Sequence, residues 1–133
     1  MNPRYVLVAE RAGHRCEYCR APEAVFNFPF EVEHILPPVC GGADSEWNWA
    51  LACRACNLFK SDRVEARDPE TEQTVRLFDP HRDRWDEDFQ VEPRFGSMVG
   101  ITPIGRATVE QLNMNASAQR AARIQWLRLG LFP

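Results

Sequence analysis

The chain of 133 residues has no apolar run approaching the ~20 residues needed to cross a bilayer, which excludes a helical membrane protein. Its N-terminus, MNPRYVLVAERAGHRC, lacks the basic start, long apolar stretch and small-residue cleavage site of a secretory signal, so a soluble, cytoplasmic protein is expected. Internal repeats and low-complexity tracts are absent too. Lysine is almost missing: Lys60 stands alone against fifteen arginines.

A basic excess is also lacking. Sixteen Lys and Arg face nineteen Asp and Glu, a formal net charge of -3, whereas a nucleic-acid binder usually carries positive charge that exchanges with phosphate counterions. The distribution softens this objection. Residues 1–63 sum to -1, residues 64–93 to -6 and residues 94–133 to +4, so the acid sits mainly in the middle.

What is present is cysteine in an ordered arrangement. Five cysteines in a reducing compartment are poor candidates for disulfides, and four of them fall into two Cys-x-x-Cys knuckles, Cys16–Cys19 and Cys53–Cys56. That spacing lets two thiolates grip one face of a tetrahedral zinc, and two knuckles complete a four-cysteine site. With no open coordination position such a zinc is structural, so any catalysis comes from elsewhere. Cys40 has no close partner and is expected to act as a small, half-buried apolar residue.

A short chain of this kind buries a modest core that benefits from such a staple. Asn2-Pro3 starts a helix over 3–12, which Gly13 stops. Residues 30–36 alternate as a strand, the Pro37-Pro38 and Gly41-Gly42 pairs force a loop, and a second strand follows at 49–52. Residues 54–63 suit a helix. The acidic 64–73 segment reads as a solvated connector and TVRLF as a strand. A second hairpin is expected from 88–92 and 97–101, then helices at 103–112 and 116–129. The last of these carries one apolar face and one basic face, a docking helix with solvated arginines. Tyr5, Phe26, Phe28, Phe30, Trp47 and Trp49 are expected to build the core.

Thirty-three residues separate the knuckles, longer than a plain zinc ribbon requires, and the insert holds chemistry. Glu31, Glu33, His34 and Asn48 lie within it, and Asn57 and Lys60 just follow, in the string EVEHILPPVCGGADSEWNWALACRACNLFK. This string resembles the HNH nuclease family: an acidic residue and His before a Pro, a Gly-Gly loop, a central Asn, then Cys-x-x-Cys-Asn-x-x-Lys. The likeness covers residues 11–63, a little under half of the chain. It implies an α+β fold, a ββα-metal HNH core stapled by a structural zinc, with a C-terminal β-hairpin and helical tail. On this basis residues 1–63 are expected to form the core with its N-terminal helix and knuckles, and residues 64–133 to supply connector, hairpin and helices packed on it.

The chemistry fits the likeness. Phosphodiester hydrolysis needs a base near the attacking water and a cation that neutralises charge on the phosphate. His34, a mostly neutral imidazole at pH 7, is the expected base, the role the resemblance also implies. Glu33 and Asn57 are hard oxygen donors at the positions that hold the catalytic metal in the family. Many members place a second His where this chain has Asn57, and an amide oxygen there favours Mg²⁺ or Mn²⁺ over softer cations. Asn48 matches a residue that ties the hairpin loop together and helps orient the His. Glu31 shares a strand face with Glu33 and is assigned a supporting electrostatic role. Lys60, Arg54 and Arg63 are the candidate phosphate contacts, while His14 and His81 match nothing in the motif.

The expectation is therefore a DNA endonuclease with structural Zn²⁺ and catalytic Mg²⁺ or Mn²⁺, DNA being favoured over RNA by resemblance alone. No membrane partner is expected, and a homodimer or protein partner is left open. The competing reading is an inactive, zinc-stabilised module of the same fold that binds nucleic acid or protein.

Overall fold

The computed structural model describes residues 2–133, which form two compact units, one ending at Val64 and the other spanning Glu65–Pro133. In the first, helix α1 (Pro3–Arg11) begins where the Asn2 side chain accepts the Arg4 N–H at 2.9 Å and Pro3 presets the first helical φ. It stops at Gly13 and His14, both left-handed, and the chain turns into the first knuckle. Strands β1 (Glu31–His34) and β2 (Trp49–Ala52) pair antiparallel, with Glu31 opposite Ala52 and His34 opposite Trp49. Helix α2 (Arg54–Lys60) follows directly and packs on both strands, giving the ββα order. It ends at Lys60, three residues short of the expected Arg63, where Ser61 takes a positive φ.

The core of this unit combines small residues with a few large ones, Tyr18 and Phe30 among them. Ala50, Leu51 and Ala52 are fully buried and let α1 approach through Val8 and Ala9, and the four knuckle cysteines are buried too. Of the aromatic residues expected inside, Phe30 is buried, but Phe28 and Trp47 are more than half exposed. Cys40 is exposed as well, its thiol 3.8 Å from the Asp62 carbonyl.

Before β1 the chain is held by a buried carboxylate. Glu23 accepts from the Phe30 N–H at 2.7 Å and the Tyr5 hydroxyl at 2.8 Å, with His14 Nδ1 at 2.8 Å. Burial pushes its carboxyl up, but these bonds outweigh burial and hold it below the usual range.

In the second unit β3 (Glu65–Arg67) pairs with β4 (Thr74–Arg76), so the acidic segment expected to be a solvated connector is a built hairpin. Its organiser is Asp68, fully buried, which accepts from the Glu70 N–H and the Thr71 hydroxyl and forms a two-pronged ion pair with Arg106 at 2.9 and 3.0 Å. A short helix α3 (Trp85–Asp88) leads to the hairpin of β5 (Phe89–Glu92) and β6 (Ser97–Gly100), then α4 (Pro103–Gln111) and α5 (Ser117–Arg128). Helix α4 lies against β3, β4 and β6. A Cβ on Gly105 would stand 2.0 Å from the Asp88 carbonyl oxygen, so only glycine permits that approach. Arg123, expected among the solvated arginines of α5, is buried and donates to the Gly96 and Met114 carbonyls at 2.6 and 3.0 Å. Among the described residues no helix is long and apolar enough to cross a membrane.

Candidate active site

The sulfur atoms of Cys16, Cys19, Cys53 and Cys56 all lie within 4.8 Å of one another and are buried. Tetrahedral zinc with bonds of about 2.3 Å would separate its sulfurs by about 3.8 Å, and Cys19 and Cys53 stand 3.8 Å apart. The backbone supports this placement. The Cys19 N–H faces Cys16 Sγ at 3.5 Å, and Cys53 caps α2 by accepting from the Cys56 N–H at 3.4 Å. Hydrogen bonds beginning with that from Cys16 pull the Cys53 thiol down and push Cys19 and Cys56 up, because buried thiolates this close do not all ionise unaided. A divalent cation relieves that conflict, so the four cysteines fit a structural zinc.

Strand β1 meets helix α2 through two rungs. Glu31 Oε2 accepts a close hydrogen bond from the Asn57 amide, and Glu33 Oε2 accepts from Lys60 Nζ at 3.0 Å. Residues two apart on a strand share a face and lie about 6–7 Å apart, while residues three apart on a helix lie about 5 Å apart on one side. The two spacings are close enough for a carboxylate and an α2 side chain to meet at each rung.

The rungs have different surroundings. Lys60 is 2% exposed, and its three N–H groups are taken by Glu33 and by the His34 and Ile35 carbonyls at 3.1 and 2.9 Å. The only lysine of the chain thus ties β1 to α2 and, in this arrangement, does not reach a phosphate from solvent. Glu33 is 6% exposed, with its other oxygen taking a close hydrogen bond from the Tyr18 hydroxyl. Burial pushes its carboxyl up, against the pull of Lys60 and Tyr18. Both carboxylate oxygens of Glu33, expected as a ligand of the catalytic metal, thus accept hydrogen bonds from within the protein. Glu31 and Asn57 instead line an open cleft of about 470 Å³, together with Asn2, Tyr5, Pro29, Phe30 and Val32. Arg54 is exposed beside it, 3.7 Å from Glu31, and Arg63 is exposed just beyond α2.

His34 projects from the other face of β1, where its Nε2 lies 3.0 Å from Asp44 Oδ1. Asp44 also accepts from the Trp49 indole at 3.0 Å and from both terminal nitrogens of Arg4 at 2.8 and 2.7 Å. The hydrogen bond from His34, then those from Trp49 and Arg4, hold the Asp44 carboxyl below its ordinary value. Arg4 stacks over the Trp49 ring, 4.6 Å from its centroid.

Asn48 is buried and fastens the loop between the strands. Its oxygen accepts the Leu36 N–H at 2.9 Å, and its amide donates to the Leu36 and Ala43 carbonyls at 2.9 and 2.8 Å. Beside it a Cβ on Gly42 would fall 1.7 Å from the Leu36 oxygen, so the Gly-Gly pair is required for the loop to close on this strand end.

Sequence reasoning missed Tyr18, Asp44 and Arg4. Tyr18 sits inside the first knuckle, where it reads as filler between ligands. Asp44 follows the Gly-Gly turn, an ordinary place for a turn-forming Asp. Only Lys60 gave a signal for its partner, since a sole lysine one helical turn after Asn57 invites a search for an acid on the facing strand.

Residues 16–63 match the family model described as HNH endonuclease. No curated protein and no solved structure gives a significant match.

Proposed function

We propose that the chain hydrolyses phosphodiester bonds of DNA with His34 as general base, a reading supported by the match of residues 16–63 to the HNH endonuclease model, whose function is nuclease or nucleic-acid binding. The observation that carries this reading is the Glu31–Asn57 pair, two oxygen-bearing side chains brought together at an open cleft by facing elements. Asn57 stands at the motif position that holds the catalytic metal, and we assign Glu31 as its companion because it faces the open cleft beside Asn57, whereas Glu33 is buried. The donor set, carboxylate and amide oxygen, suits Mg²⁺ or Mn²⁺. When bound, such a cation supplies positive charge to the phosphate and the departing oxygen.

The residues of the chain do the rest. His34 accepts a proton as water oxygen bonds to phosphorus, and the bond from phosphorus to the leaving sugar oxygen breaks. Asn48 holds the loop that follows His34, and Arg54 and Arg63 offer exposed guanidinium groups to flanking phosphates. Lys60 and Glu33 keep β1 and α2 in register.

A second reading has its own support: His34 and the Glu31–Asn57 pair project from opposite faces of β1, which favours a binding module without cleavage. The test is incubation of purified protein with supercoiled plasmid and Mg²⁺ or Mn²⁺, beside His34→Ala retaining one zinc per chain and a structured RNA as competitor. Nicking by the wild type alone supports the nuclease. Equal nicking by both proteins, or none by either alongside retained DNA binding, overturns it, and the latter selects the binding module.

A further inference from the structure

Resting on His34 as the base, we propose that Asp44, held by Arg4 and Trp49, is the positioning residue that fixes the His34 ring and leaves its Nδ1 to receive the proton of water. A carboxylate only accepts hydrogen bonds, so the contact at 3.0 Å requires the proton on Nε2. The neutral ring then carries its lone pair on Nδ1. The assignment follows from the partner's chemistry rather than from the ring alone.

Asp44 is suited to this because its own position is over-determined. Arg4 grips both carboxylate oxygens in a fork, and the Trp49 indole donates to the oxygen that His34 meets. Trp49 pairs directly with His34 across the hairpin, so the indole and imidazole leave adjacent strands toward one carboxylate. Arg4 comes from the capped first turn of α1 and stacks on the same indole. Three separate elements therefore converge on Asp44, although it is itself 54% exposed. A surface ion pair alone contributes little to stability, so the arrangement has more to offer as a means of orienting a ring than as a brace. His34 keeps 28% of its side chain exposed, enough to meet a water.

The experiment compares Asp44→Ala and Asp44→Asn with wild type by plasmid nicking and by nitrogen NMR of histidine-labelled, zinc-loaded protein, with His34 resonances identified by their loss in His34→Ala. For Asp44→Ala, kcat is expected to fall by up to about 100-fold, the scale of losing orientation, with KM and zinc content unchanged. Its His34 nitrogens should shift from the pattern of one fixed tautomer toward an averaged one. Asp44→Asn, which keeps an acceptor oxygen, should recover part of the rate. Unchanged kcat in Asp44→Ala, or unchanged His34 nitrogens, overturns the proposal. The NMR arm needs no cleavage, so it judges the Asp44–His34 contact even if the nuclease reading fails; that reading fails separately if His34→Ala nicks as well as wild type.

Discussion

Lys60 and Glu33 form an ion pair at 3.0 Å with both side chains no more than 5% exposed. Two charges buried this deeply attract strongly but lose hydration, so the pair matters more for specifying which part of α2 sits on β1 than for net stability. Removing one partner strands the other.

Lys60→Met is therefore expected to destabilise the domain by about 3–5 kcal/mol, because Glu33 is left buried without its cation. The double variant Glu33→Gln/Lys60→Met should recover much of that loss. Urea unfolding of the four proteins checks this, and simple additivity of the two single changes would show that no buried pair exists.

One zinc per chain should be found by elemental analysis, and Cys53→Ser should lower it sharply. Because four buried thiolates need a cation to coexist, chelation should also melt the segment joining the knuckles, seen as lost protection from proteolysis across 16–63. Full protection after verified zinc loss would show that the cysteines only pack.

Asn48→Ala removes three hydrogen bonds and leaves the Leu36 and Ala43 backbone groups short of partners. A loss of about 2–4 kcal/mol is expected, with earlier protease cutting in residues 37–48. Stability within experimental error of wild type would mean that solvent replaces those bonds.

Acid sensitivity of the second unit should trace to Asp68 and Asp83, whose carboxyls are held below the ordinary value of 3.8, each first by its arginine, Arg106 and Arg76. A depressed carboxyl stabilises the fold fully above the unfolded value, and that contribution is lost as pH falls below it toward the folded one. Stability followed by tryptophan fluorescence should drop from about pH 4 downward, and Asp68→Asn should flatten the curve at the cost of stability at neutral pH. A pH dependence identical to wild type in that variant would rule out Asp68 as a source.

The two knuckles and the order strand, strand, helix were legible because they depend on short-range spacing: thiolates three apart, alternation across β1, an uninterrupted helical run at α2. The hairpin at 89–100 and the helices from Pro103 and Ser117 were legible through turn and cap residues. Asp68 was not, because an acidic run looks solvated until a distant arginine, Arg106, turns it inward.

The amino-acid sequence by itself determined the two Cys-x-x-Cys knuckles, the match to the HNH model and the ββα order, all of which rest on short-range spacing. Only the tertiary structure decided which carboxylate meets which α2 side chain. Glu31 and Glu33 share a face of β1, so periodicity cannot separate them, and the offset of helix on strand gives Asn57 to Glu31 and Lys60 to Glu33. It also decided that His34 meets Asp44, since the nine residues between them can close in many ways until Asn48 and Gly42 fasten the loop to Leu36.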